Sequence, residues 1–111
     1  MIESFSFGGI TIDGRTYYND VVIYPDHIQG EWWRIEGHSL IKEDVDKILF
    51  IKPDILMVGT GYGGLKVPKE TEDYIKSMNI ELIINETEIM CEIFNKQSKT
   101  KKVIAALHLS C

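Results

Sequence analysis

Hydrophobic and polar residues alternate along the first third of the chain. Phe5 and Phe7 are separated by a serine, and Ile10 and Ile12 are separated by Thr11. A period of two residues is typical of β-strands that have one buried face. The pairs Gly8-Gly9 and Asp13-Gly14 are turn signals between such strands. The pattern predicts a β-rich layer over residues 1–35, with further short strands at 21–24 and 30–35.

The period lengthens from about residue 39. Ile41, Val45, Ile48 and Leu49 have the spacing of one face of a helix, and Ser39 is the predicted N-cap. A short apolar strand is predicted at 55–58, and it runs into a glycine-rich segment. The remaining predicted elements are a helix that starts at Pro68 and stops at Asn79, a strand at 80–84, a helix at 87–97 and a strand at 103–109.

Helices and strands therefore alternate over residues 39–111. Short connections of this kind predict a mainly parallel sheet with right-handed crossovers. The sequence predicts an α/β fold: one three-layer domain over residues 1–111, with a central mixed, mainly parallel sheet flanked by helices. Residues 1–35 supply an additional N-terminal β-hairpin layer.

Composition and charge narrow the classes of partner. The 111 residues carry a net charge of −5, which argues against nucleic acid as the main partner. The basic segment 96–102 is interpreted as a solvated helix end and the loop after it. No apolar run is long enough to span a bilayer, and the N-terminus does not resemble a signal peptide or a presequence. No membrane association is predicted, and the expected compartment is the cytoplasm.

The glycine-rich segment matches the pattern G-x-G-x-x-G at Gly59, Gly61 and Gly64, between a strand and a helix. Glu86 follows at the end of the next strand, where an acid would hold a ribose hydroxyl. However, a dinucleotide fold needs two mononucleotide-binding halves, and this chain is too short for both. Two alternatives remain: a small anion held by the loop amides near Lys66, or a structural turn from strand to helix.

A second candidate is the aromatic and cationic cluster Trp32-Trp33-Arg34 with His38. Such a cluster marks a binding face in some small domains, and an arginine over a tryptophan ring is stabilising. The alternative is that one tryptophan packs the β layer onto the sheet and Arg34 pairs with an acid.

Cysteine and histidine chemistry is a weaker candidate. His108 and Cys111 lie close together in sequence, but one pair is fewer than the usual number of zinc ligands. Cys91 has apolar neighbours and is interpreted as a small core residue, and both cysteines are predicted to be free thiols. Tyr17, Tyr18 and Asp20 are interpreted as a strand end without chemistry. No catalytic residue, metal or cofactor is predicted.

Residues spread over nearly the whole chain resemble one family. The segment Leu65-Lys66-Val67-Pro68 is similar to the small α/β domains of the adipogenesis-associated protein and the mitochondrial complex I assembly factor, whose prokaryotic relatives are mostly of unknown function. Further matching positions are Trp33, Arg34, His38, Gly59, Gly61, Thr71, Tyr74, Ile80, Thr87, Asn95, His108 and Cys111.

The resemblance implies a mixed sheet with helices against it and an extra β layer, in which the last strand runs antiparallel to its neighbours. The resemblance implies no established enzymatic activity and favours protein binding. A separate hypothesis treats the chain as an oligomer subunit, so the expected partner is another protein or a second copy. The leading hypothesis is a non-catalytic binding or scaffolding domain, and the alternative is a domain or small enzyme that binds an anionic metabolite. The predicted groove consists of Gly59, Thr60, Gly61, Tyr62, Lys66, Trp33, Arg34 and His38.

Overall fold

The computed structural model describes residues 1–111 and contains eight strands and three helices. None of the helices is long and apolar enough to cross a membrane. The elements in chain order are β1 (Ile2–Ser6), β2 (Gly9–Ile12), β3 (Arg15–Tyr17), β4 (Val21–Ile23), β5 (Ile28–Gln29), α1 (Lys42–Ile48), β6 (Ile55–Thr60), α2 (Lys69–Ser77), β7 (Glu81–Asn85), α3 (Thr87–Gln97) and β8 (Val103–His108).

The strands form two separate sheets. β1, β2 and β3 make an antiparallel three-stranded sheet, which is the predicted N-terminal layer. The central sheet has the order β5-β4-β8-β6-β7. β6 is parallel to both β7 and β8, whereas β4 is antiparallel to β8 and to β5. The predicted mixed sheet and α/β fold class are confirmed.

Both faces of the central sheet are covered by other elements. Successive side chains of a strand point to opposite sides, so each central strand contributes to both packed layers. Met57 of β6 and Ala105 of β8 face α3 and the N-terminal sheet. Leu56 and Ile104, one residue earlier in each strand, face α1 and α2. This double burial explains why β6 and β8 read as continuous apolar runs instead of alternating ones.

Two local predictions between residues 28 and 45 are wrong. Residues 30–35 form no strand, because they pair in no ladder and the Trp32 amide donates to the Asp20 carbonyl at 2.9 Å. Ser39 does not cap α1, whose N-cap is Ile41. The buried carboxylate of Asp44, in the first turn, accepts from the Ile35 amide at 3.2 Å and ties this segment to the helix.

The second half follows the predicted order closely. α2 begins directly after Pro68, and Asn79 has a positive φ of 60° beyond the helix end, as expected of a helix stop. The glycine segment differs, because Gly59 and Thr60 still belong to β6 and pair with β8. The turn itself therefore starts at Gly61.

The direction of the last strand corrects what the family resemblance implied. β8 is antiparallel to β4 but parallel to β6, which is its other neighbour. The reason is α3, which carries the chain back along the sheet so that β8 starts from the same edge as β6 and β7. The single-domain organisation of residues 1–111 stays a prediction.

Candidate functional site at the carboxyl end of the sheet

Three elements bring polar residues to one end of the central sheet. β6 ends at Thr60 and β8 ends at His108, and these two residues are paired in register. β4 runs the other way, with Val21 opposite Leu107, so Asp20 lies beside the end of β8. In open α/β sheets, ligands bind at the carboxyl ends of the parallel strands, which makes this end the place to examine.

Asp20 is the common acceptor of the cluster. Its Oδ2 accepts from Arg34 Nη2 at 2.8 Å and from His108 Nδ1 at 2.7 Å. Its Oδ1 accepts from the Leu109 amide, also at 2.8 Å. The side chains of Arg34 and His108 are only 5% and 6% exposed. Asp20 therefore supplies the negative charge that the buried guanidinium of Arg34 requires.

The geometry fixes the proton on His108. A carboxylate has only acceptor atoms, so the hydrogen between His108 and Asp20 sits on Nδ1. Arg34 Nη2 lies 3.4 Å from the same Nδ1. Because both nitrogens carry hydrogens, this contact is not a hydrogen bond; the two donors share one carboxylate oxygen instead.

The cluster changes the acidity of Asp20. Burial by itself would raise the pKa of Asp20, but the hydrogen bonds from His108, the Leu109 amide and Arg34 outweigh it, and the pKa lies below its usual value. Asp20 is therefore a carboxylate at neutral pH. It is suited to holding the other two side chains in place and not to donating a proton.

Two buried nitrogen atoms of the cluster have no hydrogen-bond partner: Arg34 Nη1 and His108 Nε2. The rest of the guanidinium is well held, since Nε donates to the Gly37 carbonyl at 2.9 Å and its carbon lies 4.4 Å from the ring centre of Trp32. Unpaired buried polar groups are uncommon, and they point to a water molecule or a ligand atom. The predicted pairing of Arg34 with an acid and its position over a tryptophan ring are both present.

The loop after β6 approaches the same histidine. A Cβ atom built on Gly61 would lie 2.8 Å from His108 Cδ2 and would overlap the carbonyl oxygen of Ser110, and φ of Gly61 is +71°. Thr87, at the start of α3, joins the two segments: its buried hydroxyl accepts from the Gly61 amide at 2.8 Å and donates to the His108 carbonyl at 2.6 Å. Only glycine meets both requirements at position 61.

The amides of the glycine loop are largely occupied within the protein. The Gly63 and Leu65 amides donate to the Thr60 carbonyl, both at 3.2 Å, and the Gly64 amide donates to the Cys111 carbonyl at 2.6 Å. Lys66 Nζ donates to the Gly63 carbonyl at 2.9 Å. Few donors of this loop are therefore free for an anion.

Arg34 and Gly61 of the predicted groove flank opposite sides of one side chain, His108. His38 is exposed, and its ring meets that of His108 edge-on with centroids 5.8 Å apart. The Lys66 amide donates to the His38 carbonyl at 2.8 Å.

Trp33 does not join the cluster, because its side chain is exposed while that of Trp32 is buried. Tyr62 stacks instead on Phe7 of the N-terminal layer, with ring centroids 5.7 Å apart.

Sequence reasoning missed the centre of this site. The sequence pattern predicts no chemistry for Asp20, pairs His108 only with Cys111 as candidate chemistry, and presents Thr87 only as a position of family resemblance. One signal was available: Asp20 directly precedes the apolar strand β4, and His108 ends the apolar strand β8. Polar residues at the ends of buried strands converge on one edge of a sheet.

Solved structures of other proteins share this fold. A conserved hypothetical protein from Pyrococcus horikoshii OT3 is 29% identical, with a TM-score of 0.90 over 100% of this chain and 99% of that one. A protein from Bordetella parapertussis gives a TM-score of 0.85 at 15% identity, covering 99% of this chain and 95% of that one, and shows the fold alone.

A zebrafish protein is also similar to this chain. The zebrafish (Danio rerio) protein named NADH dehydrogenase [ubiquinone] 1 alpha subcomplex assembly factor 3 is 28% identical over 109 residues. The match covers 96% of this chain but 62% of that protein, so the chain spans less than two thirds of this relative. Residues 2–108 match the family described as protein of unknown function (DUF498/DUF598), and the chain belongs to that family.

Proposed function

We propose that this chain is a protein-binding domain with an assembly or scaffolding role, and that its docking face is the carboxyl end of the central sheet. The proposal rests on the location of six of the eight large apolar side chains that are exposed. Each lies within two residues of Gly8, Asp20, Arg34, Gly61 or Thr87, all of which contact the end of β8 or the segment after it. The six are Phe7, Tyr18, Trp33, Ile35, Tyr62 and Ile89.

The physical character of this face suits a protein partner. Aromatic side chains are enriched in protein interfaces, and anchors of this type supply much of the binding free energy. Trp33 and Tyr18 are 73% and 77% exposed, so both are available without rearrangement. The neighbouring cluster holds Arg34 and His108, which have buried side chains, through their hydrogen bonds to the partly buried Asp20. The name of the zebrafish relative supports a partner of this class.

The test compares two ends of the molecule. A Trp33→Ser/Tyr62→Ser variant removes two anchors from the proposed face, and Phe50→Ser removes an equally exposed aromatic that precedes β6, at the opposite end of the sheet. Immobilised wild-type and variant proteins are incubated with extract of the source cells, and retained proteins are quantified by mass spectrometry. Surface changes of this kind alter stability by only about 0.5 kcal/mol, so all variants are expected to stay folded.

A partner counts only when wild type and Phe50→Ser retain it, the double variant loses it, and the purified partner binds in the same order. Retention of the same proteins by all variants would contradict the proposed face. The predicted groove residues stay a prediction until such a partner is identified. The cytoplasmic location is likewise a prediction.

A second candidate function is the binding of a small anion, which the unpaired Arg34 Nη1 and His108 Nε2 favour. Nη1 is a donor, and Nε2 becomes a second donor when the ring is protonated. A thermal-shift titration with inorganic phosphate at decreasing pH tests this candidate, since a ligand at 100 times its Kd stabilises the folded state by about 2.7 kcal/mol. A saturable rise in Tm supports an anion site, and an unchanged Tm at every pH favours a buried water molecule.

A further inference from the structure

A cavity of about 590 Å³ lies at the opposite end of the central sheet from the proposed docking face. Val103, which begins β8, lines the cavity, whereas the docking face is built around His108, which ends that strand. The two sites are thus separated by the length of a six-residue strand, about 17 Å. The cavity opens between the N-terminal sheet, the β4–β5 hairpin and the C-terminal end of α3.

The cavity has an apolar floor. Ile12, Ile23, Phe94 and Val103 line it, and each is buried in the core on the α3 side of the sheet. These residues come from β2, β4, α3 and β8, so four packed elements fix the shape of the floor. The volume falls within the range of about 300–1,000 Å³ that small-molecule sites occupy.

The rim of the cavity is basic. Arg15, Lys101 and Lys102 line it, and none of them forms an ion pair with a carboxylate. The guanidinium of Arg15 is held against the ring of Tyr17, 5.1 Å from its centre. The chain as a whole carries a net charge of −5, so three unpaired cations around one cavity depart from the general character of the protein.

The two acidic residues of the rim offset only part of the charge of these three cations. The hydrogen bond with His27, and to a lesser extent the charge of Lys102, lowers the pKa of Asp26. Asp13 accepts from the terminal ammonium of Met1 at 2.6 Å, and Asp26 accepts from His27 Nδ1 at 2.7 Å. Both carboxylates therefore already have partners. The segment 96–102 is a helix end followed by an exposed loop, as predicted, and two of its exposed lysines also line the cavity.

We propose that this cavity binds a small organic anion with an apolar body, such as a medium-chain carboxylate. Its headgroup would lie among Arg15, Lys101 and Lys102, and its body would cover Ile23 and Phe94. A neutral ligand of the same length would gain the apolar contacts alone. A cationic one would in addition be repelled by the rim.

Octanoate is the probe, and an NMR titration of isotope-labelled protein is the measurement. Saturable shifts are expected in the amides of Tyr24, of residues 26–28 and of residues 98–103, which surround the cavity. Exposed ion pairs contribute little free energy each, so Lys101→Gln/Lys102→Gln should weaken octanoate binding on the order of fivefold. Lys96→Gln/Lys99→Gln removes the same charge from the same segment but from residues outside the cavity, and it should leave the affinity unchanged.

Two further measurements separate the contributions of charge and shape. Octanol should bind more weakly than octanoate by at least the factor expected for Lys101→Gln/Lys102→Gln, and octylamine should bind more weakly still, because the rim repels its ammonium group. Ser98→Trp, at an exposed position that lines the cavity, should block octanoate while every charge stays in place.

Any of three results would overturn the proposal: octanol binds as tightly as octanoate, the two double-lysine variants bind alike, or the shifts fall at residues 60–66 and 108–111. If Ser98→Trp fails to fold, the comparison of the lysine pairs still decides the question. The docking-face proposal is independent of every one of these outcomes.

Discussion

Gly61 is the residue at which the loop after β6 comes closest to the end of β8. A methyl group at this position would overlap the Ser110 carbonyl and press on the His108 ring, at a φ of +71°. Gly63 is a natural control two residues later. Its φ is also positive, at +96°, but an added Cβ would meet no atom within 4 Å. The pair Gly61→Ala and Gly63→Ala therefore separates backbone strain from steric overlap.

The magnitudes follow from these two environments. An alanine in the left-handed region is strained by about 1–2 kcal/mol. The variant's unfolded chain has less conformational entropy, which offsets about 0.4–1 kcal/mol, so Gly63→Ala should lower the free energy of unfolding by about 1 kcal/mol. Gly61→Ala adds overpacking against backbone, about 1–3 kcal/mol, for a total of about 3 kcal/mol. A domain of this size has about 5–15 kcal/mol of stability, so both variants should fold.

Urea denaturation followed by circular dichroism measures the two free energies of unfolding. Thermal melts provide a second measurement, with Tm expected to fall by about 4 °C for Gly63→Ala and about 12 °C for Gly61→Ala. Equal losses in the two variants, within about 0.5 kcal/mol, would refute the close approach of the glycine loop to Ser110 and His108.

Further predictions concern the buried cluster and the thiols. Asp20→Asn should cost about 3–5 kcal/mol, because it leaves the buried Arg34 without a counter-charge. The folded-state pKa of Asp20 is lowered, so its contribution is complete above the unfolded value of about 3.8 and is lost as pH falls through the folded pKa. Wild-type unfolding free energy should therefore decline in acid more steeply than that of Asp20→Asn, and parallel acid limbs would contradict this reading. Thr87→Val should cost about 1–3 kcal/mol in urea denaturation, since it leaves the Gly61 amide and the His108 carbonyl without their shared hydroxyl, while Thr87→Ser keeps most of the stability. Burial raises the pKa of Cys91 to about 11, so iodoacetamide at mildly alkaline pH should label the exposed Cys111 and spare Cys91 in native protein, as mass spectrometry would show. Labelling of both thiols at equal rates would indicate that α3 opens readily.

The sequence by itself determined the local elements of the second half of this chain. α3 has the predicted bounds 87–97, and Asn79 ends the preceding helix as expected. Cys91 is a buried core residue, as its apolar neighbours predict. These features depend on periodicity, backbone preferences and neighbouring side chains, all of which are properties of short stretches of chain. The alternation of these elements also predicted the α/β fold class, with which the family resemblance agrees and which the structure and its relatives confirm.

Tertiary structure alone decided what surrounds His108. Asp20 and His108 are 88 positions apart, and they meet because β4 pairs antiparallel with β8. That pairing depends on the order of strands in the sheet, which no local pattern specifies. The path of residues 30–40 has the same origin: the guanidinium of Arg34 bonds to the partly buried Asp20, and residues 30–35 do not form the predicted strand. The sequence could present Asp20 and His108 only as residues near strand ends and Arg34 only as part of an aromatic and cationic cluster, because hydrogen bonds between distant segments are formed by the fold.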